Sequence, residues 1–277
     1  MFKRIIVGID GSPSSITASK YAFTLGAFYD VPVVGIYVLD VRLLEEGFLA
    51  DLAGILGFTF YEGISTKVRE FLEKQGDSVL KDFSALGRER GVKVSVVQTT
   101  GVPYKEIASQ ADQEDLIIVG RKGRRPVRGV LLGSNSERVV KYAKCPVFLV
   151  PEKERNLRKA LVAYDGSEGA KLSLKVCTSL KPLFNYELHV LYVEEGQNPR
   201  VIESEVSSLA GDEDFTFLSL PGFPEERITE LVRAKDIDIL FMGAYRKGRV
   251  RELFLGSITS FVIHTLDVPM ILAKGYS

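Results

Sequence analysis

Cysteine is scarce in this chain. Its two cysteines, Cys145 and Cys177, stand far apart, which excludes a disulfide framework and any paired-cysteine metal spacing. Both are expected to be reduced packing residues of a cytoplasmic protein. Histidine is equally rare: His189 and His264 fall in a strand run and a helix and are expected to be core or surface residues. No HExxH and no Ser/His/Asp spacing is present, so nothing names a general base, and an enzyme is not the expectation. Charge of one sign is missing too. Lys and Arg number 36 and so do Asp and Glu, so the molecule as a whole is not built to hold a polyanion. No apolar run reaches the ~18 residues of a membrane-spanning helix. The opening MFKRIIVGID turns polar at Asp10, too early for the apolar region of a signal peptide. Neither G-x4-G-K-[ST] nor G-x-G-x-x-G occurs, so the two familiar glycine fingerprints for phosphates are absent.

What is present is a repeat. KRIIVGIDGS at 3–12 returns as RKALVAYDGS at 158–167. Residues 115–150 return as residues 238–273: an Asp, four apolar residues, a Gly, a basic loop, Leu-Gly-Ser, a helical stretch and a strand containing Pro. The joint between the halves, PEKERN at 151–156, is short, polar and charged, as a boundary should be. Two domains are expected, at 1–151 and 157–277.

Each half alternates strand and helix. RIIVGI is a continuous apolar run, the mark of a strand buried on both faces. Ser12 and Pro13 suit the cap and first turn of the helix that follows. VPVVGIYVL, VKVSVVQT, DLIIV and PVFLV read as further strands. Residues 65–90 read as a long helix with Val68, Phe71, Leu72, Val79, Phe83 and Leu86 on its inner side; a shorter stretch, 200–210, replaces it in the second half. The alternation implies an α/β fold with parallel sheets. Right-handed crossovers then gather Asp10, Asp165 and both glycine loops at the carboxyl edge, where such sheets bind ligands.

The stretch GRKGRRPVRGVLLGSNS at 120–136 lies at one of these strand–loop–helix junctions. Glycine brings backbone N–H groups close to an anion, and a helix start adds free N–H groups and a favourable dipole. Ser134 and Ser136 could add hydroxyl donors. Its five cations, Arg121, Lys122, Arg124, Arg125 and Arg128, are either a solvated run or neutralise a triphosphate. Nucleic-acid binding is disfavoured, because no aromatic residues are interleaved.

The spacing Gly120-x2-Gly123-x9-Gly133-Ser134, with VGIDGS before it and CPVFLV after it, resembles the universal stress protein family in its tandem, two-domain form. The resemblance covers the whole chain. It implies two tandem adenine-nucleotide-hydrolase-like (Rossmann-like) domains, each a five-stranded parallel sheet flanked by helices, that pair through their last strands. It also implies ATP, ADP or AMP as ligand. Gly8, Ile9 and Asp10 would line the adenosine, and Val38 would meet the adenine through its backbone. Val119, Gly120, Gly123, Gly133, Ser134, Asn135 and Ser136 would hold ribose and phosphates. Asn135 stands where the family usually has a small apolar residue. In the second half Asp165, Val193, Gly243, Gly256 and Ser257 keep register, but Arg246 occupies the middle glycine position, where a Cβ at positive φ would be strained and would intrude on a ligand. Gly248 is left to supply that turn. The second site is therefore the weaker expectation.

Other readings stay open at this point. Asp10 either caps the first helix or serves ribose or a bound Mg²⁺. Residues 40–64 carry more apolar side chains than a solvated loop, which fits local packing, a lid or a dimer face, and lack the basic face of a membrane-surface helix. For the whole protein the expectation is a nucleotide-dependent switch or sensor with an unknown protein partner. The alternatives are a nucleotide-free scaffold and a slow ATP hydrolase.

Overall fold

The structure is a computed structural model that describes residues 2–45, 64–123, 131–194, 196–244 and 255–275. In the first half the strands are Ile5–Gly8 (β1), Val33–Asp40 (β2), Val94–Gly101 (β3), Leu116–Gly120 (β4) and Val147–Val150 (β5). Its helices are Pro13–Tyr29 (α1), Ile64–Glu89 (α2), Pro103–Ser109 (α3) and Ser134–Tyr142 (α4). In the second half the strands are Lys159–Ala163 (β6), Glu187–Val193 (β7), Thr216–Leu220 (β8), Ile239–Gly243 (β9) and Met270–Ala273 (β10). Its helices are Glu168–Phe184 (α5), Pro199–Ala210 (α6), Pro224–Ala234 (α7) and Ser257–Thr265 (α8).

All the strands join one sheet, in the order β3-β2-β1-β4-β5-β10-β9-β6-β7-β8. Every neighbouring pair is parallel except β5 with β10, which run antiparallel, Phe148 opposite Ile271. The last strands thus pair across the two halves as the resemblance implied, and each covers the other's edge. Within each half the order reverses once, between β1 and β4 and between β6 and β9.

Alternation along the strands divides the core in two. Ile5 and Val7 pack with residues of α1, α2, α5 and α6 on one face. Ile6 and Ile36 pack with residues of α3, α4, α7 and α8 on the other. Ser12 caps α1, its hydroxyl accepting from the Ser15 amide at 3.3 Å, and Pro13 opens the helix. Asp30 and Asn185 end α1 and α5 in the left-handed region, both with φ of 50°, so the repeat extends to its helix stops.

One helix departs from its expected stripe. On α2, Leu80 and Phe83 are buried, but Phe71 and Leu86 are 62% and 46% exposed. The inner face also runs through Gly76 and Gly87, where a Cβ would meet Tyr37 at 2.6 Å and Phe23 at 2.9 Å. The helix lies close to the sheet there, and that close line turns Phe71 and Leu86 off the core. Residues 46–63 of the apolar stretch, together with Arg124, Arg125, Arg128, Arg246 and Gly248, lie outside the described residues.

Candidate functional site

The carboxyl ends of β1 and β4 open at the first reversal of strand order. Gly11, at φ 77°, turns the chain sharply after β1, a conformation that glycine adopts without strain. Asp10 Oδ1 accepts the Ser12 amide at 2.9 Å across that turn. The second half repeats it with Gly166 at φ 73° and Asp165 Oδ1 on the Ser167 amide at 2.9 Å.

The loop after β4 is fixed from several sides. The hydroxyls of Ser12, at 3.2 Å, and Ser14 donate to the Lys122 carbonyl. Gly133 donates its amide to the Arg121 carbonyl at 2.6 Å, closing the base of the loop. Ser136 donates its hydroxyl to the Gly120 carbonyl at 2.7 Å. That hydroxyl proton is therefore committed to the loop, and what remains for a ligand at Ser136 is its oxygen and its backbone.

Two expectations about the loop need correction. First, Arg121 does not face the carboxyl edge as a phosphate cation. Its side chain is fully buried and turned into the second half, donating to the Ile263 carbonyl of α8 and to Met270 Sδ at 3.4 Å on β10. Loss of water pushes its guanidinium down to about 10, against the pull of Asp267. Second, the glycines of the loop are not at positive φ among the described residues. Space rather than backbone strain sets them. A Cβ on Gly120 would stand 2.8 Å from Ser14 Cβ, so that glycine serves the packing of α1 on β4. Among the described residues, a Cβ on Gly123 would meet only Asp10 Oδ2, at 3.3 Å, and one on Gly133 only ordinary contacts, the nearest the Arg121 carbonyl at 3.4 Å. Among the described residues neither Cβ would come closer than 3.3 Å to an atom beyond its chain neighbours.

These residues surround a cavity of about 740 Å³. Gly8, Ile9, Asp10, Val38, Val119, Gly120, Gly123, Gly133, Ser134, Asn135 and Ser136 all line it, and Lys122 joins them. β1 pairs with β2 only as far as Gly8 opposite Ile36, after which Ile9 donates its amide to the Ile36 carbonyl at 2.8 Å. Residues two apart on a strand turn the same way, so the Val38 amide and carbonyl face the side where β1 has ended. They form a donor–acceptor pair at the cavity wall.

The second half brings Asp165, Val193, Gly243, Gly256 and Ser257 together in the same arrangement, yet the space they enclose is about 80 Å³. Small-molecule pockets run from about 300 to 1,000 Å³. Ala163 and the buried Tyr164 stand where the first half has Gly8 and Ile9, and Ile258 where it has Asn135. The first cavity also has walls without counterpart in the second: Asp40, Leu43, Phe71, Leu72 and Gln75, from the turn after β2 and from α2.

Asp40 and Leu43 belong to the stretch 40–64, for which a lid was one of the open readings; the charged pair within it was not foreseen. Asp40 accepts from Arg42 through both carboxylate oxygens, at 2.7 and 2.5 Å, and Arg42 also donates to Asn135 Oδ1 at 3.2 Å. The charged pair sits in a run that reads as apolar, so its only signal was that two opposite charges lie two residues apart. Ser12 and Ser14 were legible as residues of a helix start but not as anchors for a loop more than a hundred residues away. The cysteines behave as expected: both are buried and free, and burial pushes both thiols up to about 12. Neither His189 nor His264 lines the cavity.

Comparison with known proteins agrees with this geometry. The universal stress protein family model matches residues 1–151 and 201–274. Universal stress protein MJ0531 of Methanocaldococcus jannaschii is 35% identical over 158 residues, 56% of this chain and 86% of that one. Slr1230 of Synechocystis is 26% identical over 285 residues, covering 97% of this chain and 99% of its own length. Among solved structures, a universal stress protein from Archaeoglobus fulgidus superposes with a TM-score of 0.76 at 21% identity, over the full length of both chains. With more than half of its residues matched by the family model and a fold that repeats the same α/β unit in tandem, the chain belongs to the universal stress protein family.

Proposed function

We propose that the chain binds one adenine nucleotide, ATP or its di- or monophosphate, in the first-half cavity, and that occupancy switches its contacts with a protein partner in the cytoplasm. The observation that carries this reading is the pair Gly123 and Gly133. Among the described residues neither is at positive φ, a Cβ on Gly133 would make only ordinary contacts, one on Gly123 would meet Asp10 Oδ2 at 3.3 Å, and both line the cavity. A ligand that needs that space accounts for them. The cavity size falls in the range for small molecules. The Val38 amide and carbonyl suit adenine, which presents a ring nitrogen acceptor beside an amino donor. The start of α4 and the loop amides suit phosphates. Asp10 fits Mg²⁺ as one carboxylate working with phosphate oxygens. Among the described residues no three His, Cys, Asp or Glu side chains come together, so the metal would arrive with the nucleotide. Residues 1–151 form the binding domain and 157–277 the second domain.

The 80 Å³ space of the second half favours a different role for that domain. We assign it no nucleotide and read it as the face offered to protein contacts. Isothermal titration with ATP and Mg²⁺ should show one site per chain. Two equal sites would contradict the assignment of the second domain. No heat, with no nucleotide in the extract of denatured protein, would remove the binding function itself.

A further inference from the structure

Asp40, Arg42 and Asn135 form a chain of hydrogen bonds from the end of β2 to the first turn of α4. Arg42 Nε and Nη2 donate to the two oxygens of Asp40, and Nη2 also donates to Asn135 Oδ1. Asp40 and Asn135 both line the cavity. The Arg42 side chain is 36% exposed and that of Asp40 17%, so the pair is partly shielded from water. Asp40 in turn holds the Arg42 guanidinium above its ordinary value.

The chemistry of the three groups fixes their roles. A guanidinium only donates, so the Asn135 oxygen must face it. The Asn135 amino group is then left as a donor beside the free backbone amides of the α4 start. Asp40 would set a negative charge in the cavity wall, against the outer phosphates, unless Arg42 neutralised it.

We propose that Arg42 is a positioning and specificity residue of this site: it holds the Asn135 amide toward the outer phosphates and cancels the charge of Asp40, so that the cavity favours a nucleoside triphosphate over a monophosphate. The proposal rests on the nucleotide reading above. A monophosphate, held by the base and the inner loop, needs neither contribution.

The test is calorimetry with ATP and with AMP on the full chain, with thermal melting as the control for folding. Arg42→Ala should weaken ATP roughly tenfold or more, the usual scale for a lost hydrogen bond to a charged group. AMP should change by less than about twofold. Asn135→Ala in the Arg42→Ala background should add little further loss, because both changes remove one interaction. Asp40→Asn in the Arg42→Ala background should restore part of the ATP affinity. Arg42→Lys, which keeps the charge but not the fork, should fall between wild type and Arg42→Ala. Equal losses for ATP and AMP, or fully additive losses for Arg42→Ala and Asn135→Ala, overturn the proposal while leaving nucleotide binding intact. A wild-type protein that binds neither ligand removes both at once.

Discussion

At the scale of single residues, the loop separates two kinds of glycine. Gly120 is held by its neighbours: a Cβ there would press on Ser14. Gly123 is less confined: among the described residues a Cβ there would meet only Asp10 Oδ2, at 3.3 Å. Gly120→Ala should therefore cost about 1–3 kcal/mol of stability as an overpacked contact. Gly123→Val should leave stability within about 1 kcal/mol yet weaken ATP at least ~100-fold by filling the cradle. Chemical denaturation and calorimetry on both variants give the comparison. If Gly123→Val bound ATP like wild type, the cradle would not be where the phosphates lie. The spacing of these glycines was visible in the sequence, but the reason for each was not. Reading them all as places where the backbone approaches an anion treated them alike, whereas the actual distinction depends on which neighbour a Cβ would meet.

At the scale of elements, the repeat made the strands and helices legible, because a buried parallel strand leaves an unbroken apolar run and a helix leaves a periodic one. Where elements touch was less legible. The stripe on α2 was read from its large apolar residues, and the two glycines that set its approach to the sheet were passed over. Helix α1 shows the same limit. Its cap was expected, but not that Ser12 and Ser14 reach across to the carbonyl of Lys122. In the second half Gly169 takes the place of Ser14, and a Cβ there would stand 2.9 Å from the Ala273 carbonyl. That half has lost an anchor along with its cavity. Ser14→Ala should accordingly cost about 1 kcal/mol, the value of an ordinary hydrogen bond. It should weaken ATP by roughly that energy's equivalent, about fivefold, because the loop must then be ordered by the ligand. Unchanged ATP affinity with lowered stability would mean that the loop keeps its shape without α1.

At the scale of the whole molecule, the halves share both cores, and two further contacts between them differ in how legible they were. Backbone pairing of β5 with β10 continues the sheet, and that was legible because both last strands are apolar and would otherwise leave open edges. Arg121 was misread, because a cation inside a run of cations looks like its neighbours. Its position one residue past β4 instead puts it over β10 and the end of α8. The last carbonyls of a helix lack internal partners and carry partial negative charge. Arg121 satisfies the Ile263 carbonyl there and the Leu131 carbonyl on its own loop, at 3.4 Å. Its other charged neighbour, Asp267, is 3.7 Å away with a half-exposed side chain and contributes little. Arg121→Ala should therefore lower the unfolding free energy by about 2–3 kcal/mol, since it leaves buried carbonyls without donors. Asp267→Asn should change it by less than about 1 kcal/mol. Denaturant unfolding of the two variants measures the difference. The same residue accepts the Gly133 amide through its backbone carbonyl, so one residue serves the base of the loop with its backbone and the seam between the halves with its side chain. A loss at Arg121 no larger than that at Asp267 would mean that the buried guanidinium adds nothing to the seam between the halves.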